Sequence, residues 1–291
     1  MNGLRIIVLA KQVPDTRNVG KDAMKEDGTV NRQALPAIFN PEDLNALELA
    51  LRIKDQYQDS TVSLLNMGPQ RAADIIREGL FRGADNGYLL SDRAFAGSDT
   101  LATSYAISRA IRAIGNIDLI VCGRQAIDGD TAQVGPQVAE KLGMPQITYA
   151  EEILDIVDGK IKVKRRLERG VEIVEGPLPL VITVNSSAPD CRPRNVKLLM
   201  KYKHAKVVSE INDASDEFKA IFEERSYLKL NEIGAKDLKV ETEELGLSGS
   251  PTKVKKIENV VFQAKESKRL TAADADIQDL MVELIGNHTL G

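Results

Sequence analysis

The sequence predicts an α/β fold with a doubly wound, mostly parallel sheet, an appended antiparallel ribbon and an extended C-terminal arm. Three observations predict it. Short aliphatic runs alternate with helical stretches as far as about residue 145, short strands separated by tight turns follow, and beyond Pro189 the apolar pattern becomes sparse. A length of 291 residues with 43% apolar content is sufficient for one large core or two smaller ones.

Four aliphatic runs are apolar enough to be buried on both faces, as the strands of a parallel sheet are. They are Arg5–Val13, Thr61–Met67, the residues around Tyr88–Leu90, and Ile117–Gly123. Helices between them begin after Asn40, at Pro69 and at Ser98-Asp99, where residues that favour N-caps or the first helical position stand. Strand–helix alternation of this kind predicts right-handed crossovers, with ligands at the carboxyl ends of the strands.

After about residue 150 the pattern predicts short antiparallel strands joined by turns that contain glycine. The strands are Glu152–Val157, Gly159–Leu167, Val171–Val174 and Leu178–Val184, so the ribbon covers residues 151–185. Beyond it, Arg192 to Lys206 carries six basic residues and no acidic ones, whereas residues 207–250 hold about twice as many acids as bases. The sparse apolar pattern of residues 191–291 predicts an extended arm.

The composition argues against several function classes. Cys122 and Cys191 cannot form a disulfide framework, and with His204 and His288 they leave too few ligands for a metal site. A net charge of -4 at pH 7 and an aromatic content of 4% argue against nucleic-acid binding. No apolar run approaches a membrane span and the first residues do not resemble a signal peptide, so we expect a reducing, cytoplasmic location. No catalytic residue is predicted.

The strongest candidate site is the segment from Gly123 to Pro136, which follows a predicted strand and begins a helix. Free backbone N–H groups and the positive end of the helix dipole converge there, where a phosphate could sit. Gly129 permits a close approach of the backbone, and Thr131 and Gln133 supply neutral donors. A loop and a helix with Asp130 as its N-cap fit the same residues, so both interpretations stay open at this point. The glycine patterns of the P-loop and of dinucleotide-binding Rossmann sites are missing.

Three further segments are expected to meet this one at the carboxyl edge of the sheet. Leu9-Ala10-Lys11 follows the first strand, Asn66-Met67 ends the second, and Asn40 and Asp43 lie at the start of the first helix. The amide of Asn40 and the carboxylate of Asp43 are suited to hydrogen bonds with an adenine or a ribose. Simple capping of the helix is the alternative, and the residues alone favour it.

Five motifs lie in register over nearly the whole chain. They are KQVPD at 11–15, NPED at 40–43, GRQAIDGDTAQVGP at 123–136, VKRRLERGVEIVEGPLPLVITV at 163–184 and PRN at 193–195. Together they resemble the beta subunit of an electron-transfer flavoprotein, also called the FixA type. The resemblance implies a fold of the adenine nucleotide alpha hydrolase type and a heterodimer with a larger alpha subunit, which holds an FAD of its own. It also implies an electron carrier rather than a stand-alone enzyme.

By position in these motifs, the resemblance implies an adenine-nucleotide site on this subunit. The implied cofactor contacts are Leu9, Ala10, Asn40, Asp43, Asn66, Met67, Gly123, Arg124, Gln125, Asp128, Gly129, Asp130, Thr131, Ala132, Gln133, Val134 and Arg165. Arg165 stands in a V-x-R motif that reaches across to the flavin of the alpha subunit, where a cation stabilises reduced flavin. A solvated basic strand is the alternative that the residues alone favour.

Two branches of the family differ in this nucleotide. In one branch it is AMP, and the subunit is a scaffold for the alpha-subunit FAD. In the other it is a second FAD, which takes a hydride from NADH and divides the electron pair between ferredoxin or flavodoxin and the alpha-subunit flavin. The AMP branch has a more acidic stretch at Asp128–Ala132 and a bulky or aromatic residue at Thr16. Gly129 and Thr131 leave room and donors for a pyrophosphate, so we expect FAD in preference to AMP. Electron bifurcation is the function that a second FAD permits, and a non-bifurcating subunit with structural AMP is the alternative.

The loop from Asn185 to Asn195 corresponds to the segment that docks partner flavin dehydrogenases, such as an acyl-CoA dehydrogenase. It lacks the leucine expected there, and Cys191 within it is interpreted as an ordinary loop cysteine. We therefore expect a nucleotide-binding domain at 1–190 and, at 191–291, the docking loop and an arm that wraps the alpha subunit. A nucleotide-binding stress or signalling protein of the same fold is a weaker rival, since such a module needs no arm.

Overall fold

The computed structural model describes residues 3–15, 35–212, 216–252, 267–287 and 289–290. The strands in these ranges are β1 (Arg5–Leu9), β2 (Gln12–Pro14), β3 (Ala37–Phe39), β4 (Thr61–Met67), β5 (Asn86–Leu90), β6 (Leu119–Gly123), β7 (Gln146–Val157), β8 (Lys160–Leu167), β9 (Gly170–Pro177), β10 (Leu180–Val184), β11 (Lys206–Val207) and β12 (Lys229–Ile233). The helices are α1 (Pro41–Gln56), α2 (Ala73–Arg82), α3 (Thr100–Ile114), α4 (Val134–Leu142), α5 (Val196–Tyr202), α6 (Val208–Asn212), α7 (Asp216–Glu224) and α8 (Asp274–Gly286). The described residues fall into two compact units, the first up to 252 and the second from 267.

Ten of the described strands form one sheet, in the order β11-β12-β5-β4-β1-β6-β10-β7-β8-β9. All neighbours from β11 to β7 are parallel, whereas β7, β8 and β9 form an antiparallel ribbon. The chain leaves β1 toward β4 on one side and returns to β6 on the other. This reversal is a topological switch point, where open α/β sheets bind ligands. The predicted doubly wound, mostly parallel sheet with an antiparallel ribbon is thus confirmed.

Helices cover both faces of the sheet. Consecutive residues of β1 point to opposite sides, so Ile6 and Val8 pack in one core cluster with α1 and α2, while Ile7 and Leu9 pack in another with α3 and α4. Every residue of β6 is buried as well. The two helix layers therefore fix the carboxyl ends of β1, β4 and β6 beside one another.

The last strand of the predicted ribbon lies elsewhere. β10 is inserted between β6 and β7 and pairs in parallel with both. All five of its residues are buried, because a β-branched and mostly apolar run is stable in the centre of a sheet covered on both faces. The ribbon is therefore built from β7, β8 and β9.

The region beyond residue 190, expected as an extended arm, contributes to the sheet over part of its length. β12 pairs in parallel with β5, and β11 pairs with β12. Leu228 and Leu230 are buried against the core, so a few apolar residues suffice to add edge strands. The sheet thus extends past the predicted boundary at 190.

In the second unit, α8 exposes apolar side chains at Ile277, Met281, Val282 and Ile285. In the described ranges of both units, no helix is long and apolar enough to cross a membrane.

Candidate functional site

A cleft of about 780 Å³ lies at the carboxyl ends of β1, β4, β5 and β6. Its walls are the segments that follow these strands, together with the first residues of α3 and α4. The lining residues are 9–11, 43, 65, 67–70, 90–93, 95–100, 103, 107, 122–126 and 129–135. The cleft therefore lies at the switch point of the sheet, where the topology predicts a ligand site.

The loop between β6 and α4 forms one wall. Asp130 and Ala132 have φ angles of 50° and 53°, which residues other than glycine adopt rarely. Gln133 precedes the first residue of α4, and no side chain caps this helix. The alternative with Asp130 as the cap is wrong, since its carboxylate accepts a hydrogen bond from Gln125 Nε2 at 2.8 Å. The N–H groups at the start of α4 thus remain available to an anion.

The start of α1 holds this loop in place. Asn40 Nδ2 donates to the carbonyl oxygen of Gln125 at 2.9 Å, and Asn40 Oδ1 accepts from Ile127 N at 3.2 Å. Glu42 accepts from Gln125 N at 2.9 Å and forms an ion pair with Arg124 at 3.2 Å. The simple capping role is wrong for Asn40, because its side chain makes no cap hydrogen bond to α1. Its amide positions the cleft loop instead.

Asp43 joins the carboxyl ends of β1 and β6. Its two carboxylate oxygens accept hydrogen bonds from Lys11 N and Gly123 N, both at 2.9 Å. Burial of the carboxylate raises the pKa of Asp43 to about 7, although the two N–H donors lower it. Gly123 is required here, since a Cβ at this position would lie 2.5 Å from Asp43 Oδ1. Asp43 thereby sets the spacing of two strand ends at the base of the cleft.

The end of β4 contributes Met67 to the lining and Asn66 behind it. Asn66 Nδ2 donates to the carbonyl oxygen of Ala10 at 2.7 Å, which links the loops after β4 and β1. Asn66 Oδ1 is buried without a hydrogen-bond partner, and a Cβ on Gly68 would lie 3.2 Å from it. A buried acceptor without a partner is costly, so the position of Asn66 is explained by its hydrogen bond to Ala10 and not by Oδ1.

The opposite wall, from Ser91 to Thr100, is absent from the sequence-based predictions of the site. Asp99 caps α3, accepting hydrogen bonds from Leu101 N and Ala102 N at 2.9 and 3.0 Å. Thr100 Oγ1 donates to Gln133 Oε1 at 2.8 Å, so the two walls meet across the cleft. The sequence feature that points to this wall is the N-cap at Ser98-Asp99. It predicts that α3 begins there, but it does not predict that β5 lies next to β4, which brings the wall to the cleft.

Most of the predicted contact residues meet at the cleft. Those that line it are Leu9, Ala10, Asp43, Met67, Gly123, Arg124, Gln125, Gly129, Asp130, Thr131, Ala132, Gln133 and Val134. Asn40, Asn66 and Asp128 are not among the lining residues. The carboxylate of Asp128 forms an ion pair with Lys11 Nζ at 2.8 Å. Arg165 lies apart from the cleft on β8, paired with Glu172 at 3.0 Å. Thr16 falls outside the described residues.

The lining carries little reactivity of its own. Cys122 is buried, and this burial raises the pKa of its thiol far above the ordinary value, so the thiol is an inert packing group. No cluster of metal-ligating side chains occurs within the described ranges. Of the lining cations, Lys11 and Arg124 are paired with carboxylates, whereas Arg93 has no carboxylate partner among the described residues. The arrangement can bind and orient a phosphorylated, partly apolar ligand, and the reactive group would belong to that ligand.

Comparisons with known proteins agree with this geometry. Residues 27–214 match the family model described as an electron transfer flavoprotein domain. The chain is 43% identical over 260 residues to the electron transfer flavoprotein subunit beta of Megasphaera elsdenii, covering 87% of each chain. It is 40% identical over 279 residues to the protein FixA of Azotobacter vinelandii, covering 94% of this chain and 90% of that one. It is 48% identical over 197 residues to the caffeyl-CoA reductase-Etf complex subunit CarD of Acetobacterium woodii, covering 68% of this chain and 74% of that one.

Proposed function

This chain belongs to the electron transfer flavoprotein family as a beta subunit, and we propose that its cleft binds FAD, through which the subunit passes electrons. Beta subunits of this family act in a heterodimer with an alpha subunit. The observation that carries the proposal is the cleft itself, which offers N–H donors at the start of α4 and a lining of mixed apolar and polar side chains elsewhere.

The size of the cleft favours FAD over AMP. Its volume of about 780 Å³ lies in the upper part of the range of about 300–1,000 Å³ for ligand pockets. Along the sheet edge, the strands that frame it run from β5 through β4 and β1 to β6. Three spacings of about 4.8 Å make this a span of roughly 14 Å. A mononucleotide would fill only part of such a cleft.

The residues present fit the chemistry of FAD. The uncapped start of α4, with Thr131 and Gln133 beside it, is suited to a pyrophosphate. Leu9, Met67 and Phe95 line the cleft and offer apolar surface to a ring system. When bound, FAD supplies the redox chemistry that the side chains lack.

The same proposal extends to the alpha subunit. Arg165 stands opposite Ala150, on the antiparallel ribbon, and we assign its guanidinium to the flavin of the alpha subunit, whose reduced form a cation stabilises. The exposed apolar side chains of α8 support the expectation that the C-terminal part wraps this partner. Both assignments require a second protein chain.

The docking loop, residues 185–195, is held on α1. Asn45 Nδ2 donates to the carbonyl oxygens of Ala188 and Pro189 at 3.0 and 2.9 Å. Arg192 forms an ion pair with Glu48 at 2.9 Å. A loop fixed at several points on a buried helix is suited to present its outer surface to a partner, and the partner proposed here is a flavin dehydrogenase. The CarD relative is named as part of a caffeyl-CoA reductase complex, which supports a dehydrogenase partner of this class.

Cofactor release from the heterodimer tests the proposal. The chain is co-expressed with its alpha subunit, the complex is denatured in acid, and FAD and AMP are quantified per heterodimer. We expect two FAD and no AMP, and reduction of the complex by NADH. One FAD with one AMP would overturn the FAD assignment and favour the alternative, a non-bifurcating subunit in which AMP is structural.

A blocking variant assigns the second nucleotide to the cleft. Gly129 lines the cleft, and a Cβ there would meet no atom within 4 Å. We therefore expect Gly129→Phe to fold, to keep the alpha-subunit FAD and to lose the second nucleotide. Gly129→Ala is the matched control and should retain both. Two nucleotides in the Phe variant would show that the cleft is not the site.

A further inference from the structure

The residues that follow β12 include a segment packed on the wall of the cleft. We call residues 245–252 the strap. Leu245 and Ser250 are 1% and 3% exposed, and Leu245 packs in the same core cluster as Phe95, which belongs to the 91–100 wall. Gly246 has a φ of 55°, and a Cβ there would collide with the carbonyl oxygen of Ala94. The strap therefore approaches this wall as closely as a glycine allows.

Two side chains of the strap hydrogen-bond to Asp99. Ser250 Oγ accepts from Asp99 N at 2.8 Å and donates to the carbonyl oxygen of Gly246 at 2.7 Å. Thr252 donates to Asp99 Oδ2 from its N at 3.1 Å and from its Oγ1 at 2.6 Å. Neither Ser250 nor Thr252 lines the cleft. Their contacts are with the wall and not with the space that a ligand occupies.

Asp99 passes this restraint to the start of α3. One of its carboxylate oxygens is held by Thr252, while the other accepts the N–H groups of Leu101 and Ala102. Desolvation raises the pKa of Asp99, but the hydrogen bonds from Thr252 and from the start of α3 outweigh it, so the pKa is lowered. The carboxylate is thus ionised at neutral pH and binds the strap and the helix together.

A hydrogen bond between side chains completes the path to the opposite wall. Thr100, the residue after Asp99, donates from Oγ1 to Gln133 Oε1 at 2.8 Å. Gln133 precedes α4, whose uncapped N–H groups form the anion site of the cleft. Contacts therefore run without a break from the strap through the start of α3 to the start of α4.

We propose that Ser250 and Thr252 are positioning residues for the nucleotide, which set the affinity of the cleft by holding the 91–100 wall against the start of α4. The proposal rests on the proposed nucleotide site and adds a part of the chain that none of the predicted contacts includes. A wall held in place before the ligand arrives lowers the cost of ordering it on binding. The affinity should therefore depend on side chains that never touch the ligand.

Nucleotide titration of variant heterodimers tests this role. The nucleotide-depleted complex is titrated with FAD and, separately, with AMP. Thr252→Val keeps the shape of the side chain but removes its donor, and we expect it to raise the Kd of the bound nucleotide about tenfold. Thr252→Ser retains the hydroxyl and should restore an affinity close to wild type. Ser248→Ala is the matched control, since in the part of the chain that the structure describes Ser248 Oγ bonds within the strap, to the carbonyl oxygen of Leu245 at 2.8 Å.

The outcomes separate a positioning role from a structural one. Melting temperatures of the nucleotide-free variants are measured in parallel. A Thr252→Val complex that melts earlier but binds nucleotide as tightly as wild type would overturn the proposal, as would equal losses in the Val and Ser variants. A wild-type complex that binds neither FAD nor AMP would instead overturn the proposed nucleotide site, and the role of the strap with it.

Discussion

The cleft and the outer surface of the ribbon and α5 differ in the burial of their side chains. At the cleft, Asn40, Glu42 and Asp43 are at most 6% exposed, and each is hydrogen-bonded to the loop that it positions. On the ribbon and on α5, apolar side chains face outward, with Ile173 at 64% and Val196 at 76% exposure. The polar framework is already hydrogen-bonded within the chain and so holds the shape of the cleft, whereas exposed apolar side chains are typical of a surface that another protein covers. We therefore propose separate functions for the two regions, nucleotide binding for the cleft and partner binding for the exposed apolar surface.

The largest expected effect follows from the substitution of Asp43. In Asp43→Asn, an amide N–H₂ would face the backbone N–H of Lys11 or of Gly123, and a buried donor would lose its acceptor. We expect the free energy of unfolding at pH 8 to fall by about 2–3 kcal/mol and nucleotide to be lost from the cleft. Urea unfolding of the isolated chain measures the first effect. Asp59→Asn, at an exposed turn position, is the control, and equal stability of the two variants would contradict the account.

The same carboxylate predicts a pH dependence. The pKa of Asp43 is about 7 in the folded chain, above its ordinary value of 3.8. The folded chain therefore keeps a proton that the unfolded chain has lost, so this stabilisation is complete below about pH 3.8 and is lost as the pH rises through about 7. The stability of wild type relative to Asp43→Asn should fall between about pH 5 and pH 8. If the stability difference between wild type and Asp43→Asn stayed constant or grew over this range, burial would not be the main influence on the pKa of Asp43.

Two substitutions, one just before α1 and one within it, separate the cleft from the docking loop. Asn40→Ala removes both hydrogen bonds to the Gln125–Ile127 stretch, and we expect a loss of about 1–2 kcal/mol in stability and a roughly tenfold weaker nucleotide. Asn45→Ala removes the hydrogen bonds to Ala188 and Pro189. It should loosen this part of the docking loop and leave nucleotide affinity unchanged, while it slows reduction by the partner dehydrogenase. Titration and stopped-flow reduction measure the two effects. If both variants lost nucleotide equally, the two regions would not be separable.

The smallest expected effect on the isolated chain is that of Ile173→Ser. Because this side chain is largely exposed on β9, its removal should change the free energy of unfolding by less than about 0.5 kcal/mol. It should weaken association with the alpha subunit, measured by the concentration dependence of the heterodimer. Leu101→Ser, at an apolar residue of α3 that is 40% exposed, is the control. If both variants associated equally well with the alpha subunit, the ribbon would not be part of the subunit interface.

The sequence predicts the half of the cleft that follows from strand order. Leu9, Met67 and the loop after Gly123 stand directly after apolar runs, and parallel strands bring their carboxyl ends to one edge. The role of Asn40 is different, because its partners Gln125 and Ile127 are 85 and 87 residues away. Local propensity favours a cap at that position, and only the folded chain brings the loop within reach.

The hydrophobic pattern of the sequence does not predict two parts of the molecule, and the reason is the same for both. The 91–100 wall follows β5. Hydrophobic periodicity predicts that β5 is a strand but not which strands pair with it, so it does not predict where the wall lies. β12 and the strap are short, and each buries only a few apolar residues, such as Leu230 and Leu245. Their positions depend on long-range contacts with β5 and with Asp99. The sparse apolar pattern therefore predicted an extended arm in a region where the chain forms the edge strands β11 and β12 and the strap.

The central claim is that the cleft at the switch point of the sheet binds the adenine nucleotide of this subunit. A crystal structure of the heterodimer, purified with its endogenous nucleotides, tests it most directly. We predict density for a nucleotide between the 91–100 wall and the loop after Gly123, with its phosphates at the N–H groups that begin α4. An empty cleft in a complex that carries a second nucleotide elsewhere would contradict the account.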